Sequence, residues 1–215
     1  MPIRPAAVVF DMDGLLFDSE ALYREAFFVA ARDLGHRFTT EDFLELVGRP
    51  WTANRATLQA RLDGTGDADA LKSVWMRHYE AKRASLALKA GVAELLDRLD
   101  ELGLPRAICT SSSHADVRYN LALHRLGGRF NAVVAAGDYA RGKPAPDAFL
   151  RAAEVLGVAA GDCLALEDSH NGVRAAAAAG MCTVMVPDLL SATEEVRALC
   201  HCVAASLHDV RALLG

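Results

Sequence analysis

Asp11 and Asp13 are two carboxylates one residue apart, placed where a buried strand would release them. Ala6 to Phe10 is an unbroken apolar run that suits a strand covered on both faces in a parallel sheet. Alternate residues share a face only while a strand continues, so Gly14 matters: it lets the backbone turn and bring both carboxylates to one site. Three further polar groups follow apolar stretches: Thr110-Ser111-Ser112-Ser113, Lys143 in Gly142-Lys143-Pro144-Ala145-Pro146-Asp147, and Glu167-Asp168-Ser169. Taken singly, each is also what an ordinary turn or helix cap contains. Taken together, they are acids, hydroxyls and a lysine at the carboxyl ends of strands, where open α/β sheets gather ligands. Converging carboxylates that stay ionised need a cation, and oxygen donors without His or Cys favour Mg²⁺, which keeps waters and takes phosphate oxygens. Hydroxyls and backbone N–H groups at a helix start, with one lysine, suit a phosphate. The chemistry expected is phosphoryl transfer.

The elements that must position these groups can be read from periodicity. Asp18 and Ser19 are N-cap types ahead of Tyr23, Phe27, Ala30 and Leu34 at helical spacing, with a stop near Gly35. Thr39 and Asp42 fit a capping box, Gly48-Arg49-Pro50 breaks that second helix, another begins near Trp51, and one more runs from about Ala68 to Arg83. No β-branched run interrupts this stretch, so it reads as an all-helical insert. Beyond it the pattern alternates. A helix carrying Val92, Leu95, Leu96, Leu99 and Leu102 stops at Gly103, and strands are expected at 104–110, 132–135, 163–166 and 183–186. Helices are expected from His114, from Pro146 to Gly157, from Gly172 to Ala179, and over a terminal stretch opened by a Ser191/Glu194 capping box. The expected fold is α/β, a Rossmann-like parallel sheet core (1–17 and 87–215) with an inserted all-helical cap (18–86).

With 215 residues, 52% of them hydrophobic and 24% charged, the chain can bury a substantial core. A net charge of -5 argues against nucleic acid or an anionic membrane as the main partner. No run of eighteen apolar residues exists and Met1-Pro2-Ile3-Arg4-Pro5 lacks the plan of a signal peptide, so a cytoplasmic protein is expected. Of five cysteines, Cys109, Cys163 and Cys182 sit in apolar runs as small hydrophobes, and no disulfide is expected. Cys200-His201-Cys202 has no second Cys/His pair at finger-like spacing, which argues against zinc.

In order, F-D-M-D-G-L-L-F-D-S-E, T-S-S, G-K-P-A-P-D-A-F and L-E-D-S-H-N-G, with a helical insert after the first, resemble the four motifs of the haloacid dehalogenase-like hydrolase superfamily. The likeness is greatest to the branch with a helical cap after the first motif. That branch includes β-phosphoglucomutase-like sugar-phosphate phosphatases, phosphoglycolate phosphatase-like enzymes and pseudouridine-monophosphate phosphatase-like enzymes.

The resemblance implies a Mg²⁺-dependent phosphatase acting on a small phosphorylated metabolite, such as a sugar or polyol phosphate, with no protein partner evident. It implies Asp11 as a nucleophile that forms an aspartyl-phosphate and Asp13 as general acid and base. It further implies Ser111 and Lys143 as phosphate ligands, and Asp11, Asp13 (through its main-chain carbonyl), Glu167 and Asp168 around the metal. A phosphomutase is the alternative, but Tyr23 stands where β-phosphoglucomutases carry a histidine, which favours hydrolysis. Asp13 argues against dehalogenation, since displacing a halide needs neither a proton donor there nor a metal. Ala90 replaces the family's usual proline before Gly91-Val92. Tyr23, Arg49 and Trp51 in the insert are the candidates for substrate specificity.

Overall fold

The structure, a computed structural model, describes residues 3–49 and 51–214. Pro50, one of the three residues expected to break the second helix, lies outside the described residues. The chain divides into two compact units, Met1–Asp18 with Leu88–Gly215, and Ser19–Ala87.

In chain order, β1 (Ala7–Phe10) is followed by four helices, α1 (Ser19–Asp33), α2 (Thr40–Leu44), α3 (Trp51–Leu62) and α4 (Ala68–Lys82). Alternation then begins with α5 (Val92–Glu101), β2 (Arg106–Cys109), α6 (His114–Leu123), β3 (Ala132–Val134) and α7 (Asp147–Leu156). It continues through β4 (Cys163–Glu167), α8 (His170–Ala178), β5 (Cys182–Met185), α9 (Glu194–Leu199), β6 (Cys202–Val203) and α10 (Leu207–Leu213). Among the described residues the strands form one parallel sheet in the order β3-β2-β1-β4-β5-β6. The chain steps outward from β1 through β2 to β3, then returns to β1's other side with β4. The carboxyl ends of β1 and β4 therefore meet at the point where the strand order reverses, which is where such sheets open a crevice.

Register brings the polar strand ends level. Phe10 lies between Ile108 and Leu166, so Asp11 follows beside Cys109 and Glu167, and the Asp11 amide donates to the Leu166 carbonyl at 2.9 Å. All four residues of β1 are fully buried. On one face the cover is made of small side chains: Ala148, Ala152 and Ala153 of α7 and Ala175 and Ala176 of α8 pack with Val9, Ala107 and Ala165. These alanines make a close helix-to-sheet contact, which only short side chains allow.

The Ser191/Glu194 capping box is not formed. Thr193 caps α9, its hydroxyl accepting from the Val196 amide at 3.3 Å, while the Ser191 carbonyl accepts from the His170 ring. Nor is the terminus one helical stretch, because β6 divides it and α10 follows with its own box, Ser206 and Asp209. A two-residue, half-buried strand containing Cys202 carries too little pattern to be seen in composition.

The helical unit is organised around Phe27, whose ring centroid lies 5.1 to 5.4 Å from those of Phe28, Phe38, Phe43 and Trp75. α1 packs along α4, and the Trp75 indole N–H donates to the Tyr23 carbonyl at 2.8 Å. The Thr39/Asp42 capping box is formed in both directions. Among the described residues no helix is long and apolar enough to cross a membrane.

Candidate active site

At the end of β1 the chain turns back on itself. The Leu16 amide donates to the Met12 carbonyl at 2.9 Å and the Gly14 amide to the Phe17 carbonyl at 3.0 Å, with Gly14 at a φ of 81°. Gly14 is needed twice, since φ is left-handed there and a Cβ would overlap the Asp168 carboxylate. Asp11 remains buried at the strand end, and Asp13 is carried toward the end of β2, where the Ser112 hydroxyl donates to its Oδ2 at 2.6 Å.

Lys143 reaches into the sheet from the loop before α7. Its ammonium donates to Asp11 Oδ1 at 2.5 Å, to Glu167 Oε1 at 2.5 Å and to the Cys109 carbonyl at 3.1 Å, and lies 5.0 Å from the centre of the Phe149 ring. Only 8% of the Lys143 side chain is exposed and none of Glu167's. One buried cation thus faces two carboxylates. Burial alone would lower the Lys143 pKa, but Asp11 and Glu167 overcome that and hold the ammonium well above its usual range. Burial pushes Asp11 up to about 8, with the Glu167 charge adding to the rise and Lys143 opposing it. The Cys109 thiol is pushed to about 12 by burial, so it is not a nucleophile here.

Glu167 is fixed from behind. Its Oε2 accepts from the Asp168 amide, the Ser169 amide and the Ser169 hydroxyl, each at 3.0 Å, while Ser169 Oγ accepts from the Gly172 amide at 3.1 Å as the N-cap of α8. The helix start and the carboxylate are therefore held by one serine. Gly172 is required because a Cβ there would fall inside the Glu167 carboxylate. We expect Gly172→Ala to destabilise the protein by roughly 1–3 kcal/mol or more, through overpacking and displaced hydrogen bonds. Urea unfolding checks this, and an unchanged midpoint would mean that Glu167 can move without cost.

Asp11, Glu167 and Asp168 each place one carboxylate oxygen within 4.8 Å of the others. An all-oxygen, anionic donor set of this kind fits Mg²⁺, and the lack of His or Cys disfavours softer metals. Of the residues singled out from sequence, Asp11, Lys143, Glu167 and Asp168 are brought together, with Asp13 beside Ser112. Ser111 is exposed at the same strand end. Tyr23 and Arg49 line a cavity of about 180 Å³ in the helical unit with Glu20, Phe43, Asn54 and Trp75. Tyr23 also stacks on Tyr79 at 4.1 Å between centroids, and Arg49 Nη1 donates to the Glu45 carbonyl at 3.1 Å. Trp51 does not line that cavity; the Lys72 ammonium sits 4.3 Å above its ring.

Sequence reasoning did not single out Ser112, which sat unmarked within a run of three serines. Nor did it see that Ser169 clamps Glu167 as well as capping α8.

The family model for haloacid dehalogenase-like hydrolases matches residues 5–180. The plasmid-encoded protein CbbY of Cupriavidus necator is 37% identical over 205 residues, 87% of this chain and 80% of that protein. Fructose-1-phosphate phosphatase YqaB of Escherichia coli is 32% identical over 195 residues, 85% of this chain and 97% of that protein. The crystal structure of CbbY from Rhodobacter sphaeroides in complex with xylulose-(1,5)-bisphosphate superposes with a TM-score of 0.76 at 25% identity, over 95% of each chain. With its motifs gathered at the β1/β4 crevice and the family model spanning most of its length, the chain belongs to the haloacid dehalogenase-like hydrolases.

Proposed function

We propose that the protein is a Mg²⁺-dependent phosphatase that hydrolyses a small sugar or polyol phosphate through an aspartyl-phosphate on Asp11. The observation that carries this reading is the buried Lys143 set between Asp11 and Glu167 at the switch point of the sheet, with Asp168 alongside. The name of fructose-1-phosphate phosphatase YqaB and the xylulose-(1,5)-bisphosphate bound in the CbbY structure support the substrate class.

Asp11, Glu167 and Asp168 would hold Mg²⁺, and Mg²⁺ bound there supplies neutralisation of the phosphoryl charge. The Asp11 carboxylate attacks phosphorus, forming the acyl-phosphate bond as the bond to the leaving oxygen breaks. Asp13 gives its proton to that oxygen, so the alcohol departs neutral. A water then attacks the aspartyl-phosphate, Asp13 takes its proton, and phosphate leaves with Asp11 restored. Lys143 orients Asp11 and places a positive charge beside the oxygens being transferred, which a loose transition state needs more than covalent help. Ser112 holds Asp13 in place for both proton transfers. Tyr23, packed on the Tyr79 ring, offers the insert no imidazole, which accords with hydrolysis rather than transfer between sugar hydroxyls.

A hydrolysis screen over phosphorylated sugars, polyols, nucleotides and glycolate tests the reading. Release of phosphate from sugar or polyol phosphates, stopped by chelator and restored by Mg²⁺, is the expected result; full activity in excess chelator would refute the metal requirement. A second expectation follows from Asp11. Its carboxyl must be ionised to bind a cation, and its pKa of about 8 in the metal-free protein means that a proton is displaced below that pH. Mg²⁺ affinity, measured by calorimetry, should therefore rise roughly tenfold per pH unit up to pH 8 and level off above it, with one proton released per ion bound. A pH-independent affinity with no proton release contradicts this.

A further inference from the structure

Asp188 has no part in the machinery described so far, yet it borders it. β5 pairs with β4 up to Met185 opposite Glu167, and the Val186 amide continues the ladder by donating to the Glu167 carbonyl at 2.7 Å. This extension carries Pro187 and Asp188 past the strand end, alongside the crevice. The Lys89 ammonium donates to Asp188 Oδ1 at 2.7 Å and also reaches Asp18 at 3.5 Å. The other oxygen, Asp188 Oδ2, is buried and has no hydrogen-bond partner among the described residues, with only 10% of the side chain exposed. It faces Gly14: the position a Gly14 Cβ would occupy lies 3.3 Å from Asp188 Oδ2 and overlaps the Asp168 carboxylate.

A buried carboxylate is ordinarily hydrogen-bonded on both oxygens. Leaving one buried oxygen unmatched is costly, and more so beside a second carboxylate. A donor belongs in that gap, and a hydrated cation brings donors of the right sign. Asp188 stands outside the trio whose ligand oxygens lie within 4.8 Å of one another, so the geometry does not favour direct ligation. Mg²⁺ keeps several of its waters, and acceptors for those waters orient and strengthen a site.

We propose that Asp188 is a positioning residue of the metal centre: Lys89 holds its Oδ1, and its Oδ2 accepts a hydrogen bond from the hydration shell of the cation held by Asp11, Glu167 and Asp168. The proposal rests on the Mg²⁺ reading given above. It adds a fourth carboxylate, contributed by β5, to a centre otherwise built from β1 and β4. It also gives Lys89 a defined task, since an ammonium on the far oxygen offsets the charge that a fourth carboxylate would add.

The test is calorimetric titration of MgCl₂ alone into the metal-free wild type, Asp188→Asn and Lys89→Met. Asp188→Asn should weaken Mg²⁺ binding by roughly 10- to 100-fold, the usual consequence of losing an outer-shell partner. Lys89→Met should weaken binding less than Asp188→Asn does, because the lost hold on Asp188 Oδ1 is partly offset by removing an ammonium from the neighbourhood of a cation. Unchanged affinity in Asp188→Asn, or equal weakening in both variants, would overturn the proposal, the latter because it marks a structural ion pair. If Asp188→Asn does not fold, as judged by thermal unfolding without Mg²⁺, the double variant Lys89→Met/Asp188→Asn carries the same test with no unmatched charge left. A wild type that binds no Mg²⁺ would overturn the metal reading itself and this inference with it, which separates the two failures.

Discussion

Asp11→Asn should abolish turnover, on the order of 10⁶-fold, while leaving a protein that is at least as stable as the wild type. The catalytic half follows from chemistry: the amide has nearly the shape of the carboxylate but cannot attack phosphorus and form an acyl-phosphate, and loss of a covalent nucleophile has an effect of that scale. The stability half follows from burial. In the metal-free wild type the folded pKa of Asp11 is about 8, raised from its ordinary value, chiefly because burial disfavours the charge. Between about pH 4 and pH 8 the unfolded chain has released that proton and the folded protein has not, so this group lowers stability as pH rises through the window. Asparagine cannot titrate, so the variant lacks that slope. Lys143 keeps Glu167 as its charged partner, at 2.5 Å, in the variant as in the wild type below pH 8. Two measurements check the expectation: borohydride reduction of the quenched phosphoenzyme, which should yield homoserine at position 11 only in the wild type, and urea unfolding without Mg²⁺ at pH 5 and pH 8. Retained turnover would place the nucleophile elsewhere, and a variant that loses stability relative to wild type as pH rises would mean that Asp11 is ionised and needed by Lys143.

The legible parts of this protein are those where a change of residue class coincides with the end of an element. Ala7–Phe10 is wholly apolar and Asp11 is not; Cys163–Leu166 is apolar and Glu167-Asp168 is not; the sheet then makes neighbours of the two ends because β1 and β4 are adjacent. Alternating strands and helices made the parallel sheet readable in the same way. What composition does not encode is reach and register beyond a strand end. Thr110, Ser111, Ser112 and Ser113 differ by single residues, yet only Ser112 donates to Asp13, while Ser111 is exposed and Ser113 caps α6. Lys143 lies 132 residues from Asp11 in a proline-rich loop, and its penetration between two carboxylates depends on the placement of the loop before α7. Asp188 follows a proline and reads as a turn. Its burial becomes visible only once β5 is seen to extend past Met185 along Glu167. Gly14 and Gly172 are the reverse case: Gly14 is legible as a turn and Gly172 only as a letter in a motif, and each is also forced by a carboxylate occupying the space of its missing side chain.

For Asp13→Asn the expected result is a change in which step limits the reaction. A sugar alkoxide is a poor leaving group and takes a proton in the transition state, so loss of a positioned general acid should slow its transfer to Asp11 by roughly 10²- to 10⁴-fold. A nitrophenolate leaves readily without that proton, so phosphoryl transfer from an aryl phosphate should be far less affected. Hydrolysis of the aspartyl-phosphate is the same step for both substrates and needs Asp13 to accept a proton from the attacking water. The variant should therefore release a burst of nitrophenol, close to one equivalent per enzyme, and then turn over slowly, whereas a sugar phosphate should give no burst. The Ser112 hydroxyl, 2.6 Å from Asp13 Oδ2, can hold an asparagine side-chain oxygen in the same position, so the substitution removes the proton without removing the contact. Ser112→Ala provides the contrast, since it keeps the carboxyl and releases its orientation: both steps should slow together by a smaller factor, with no burst. Equal slowing of aryl and sugar phosphates at the transfer step in Asp13→Asn, again without a burst, would show that Asp13 organises the site and moves no proton.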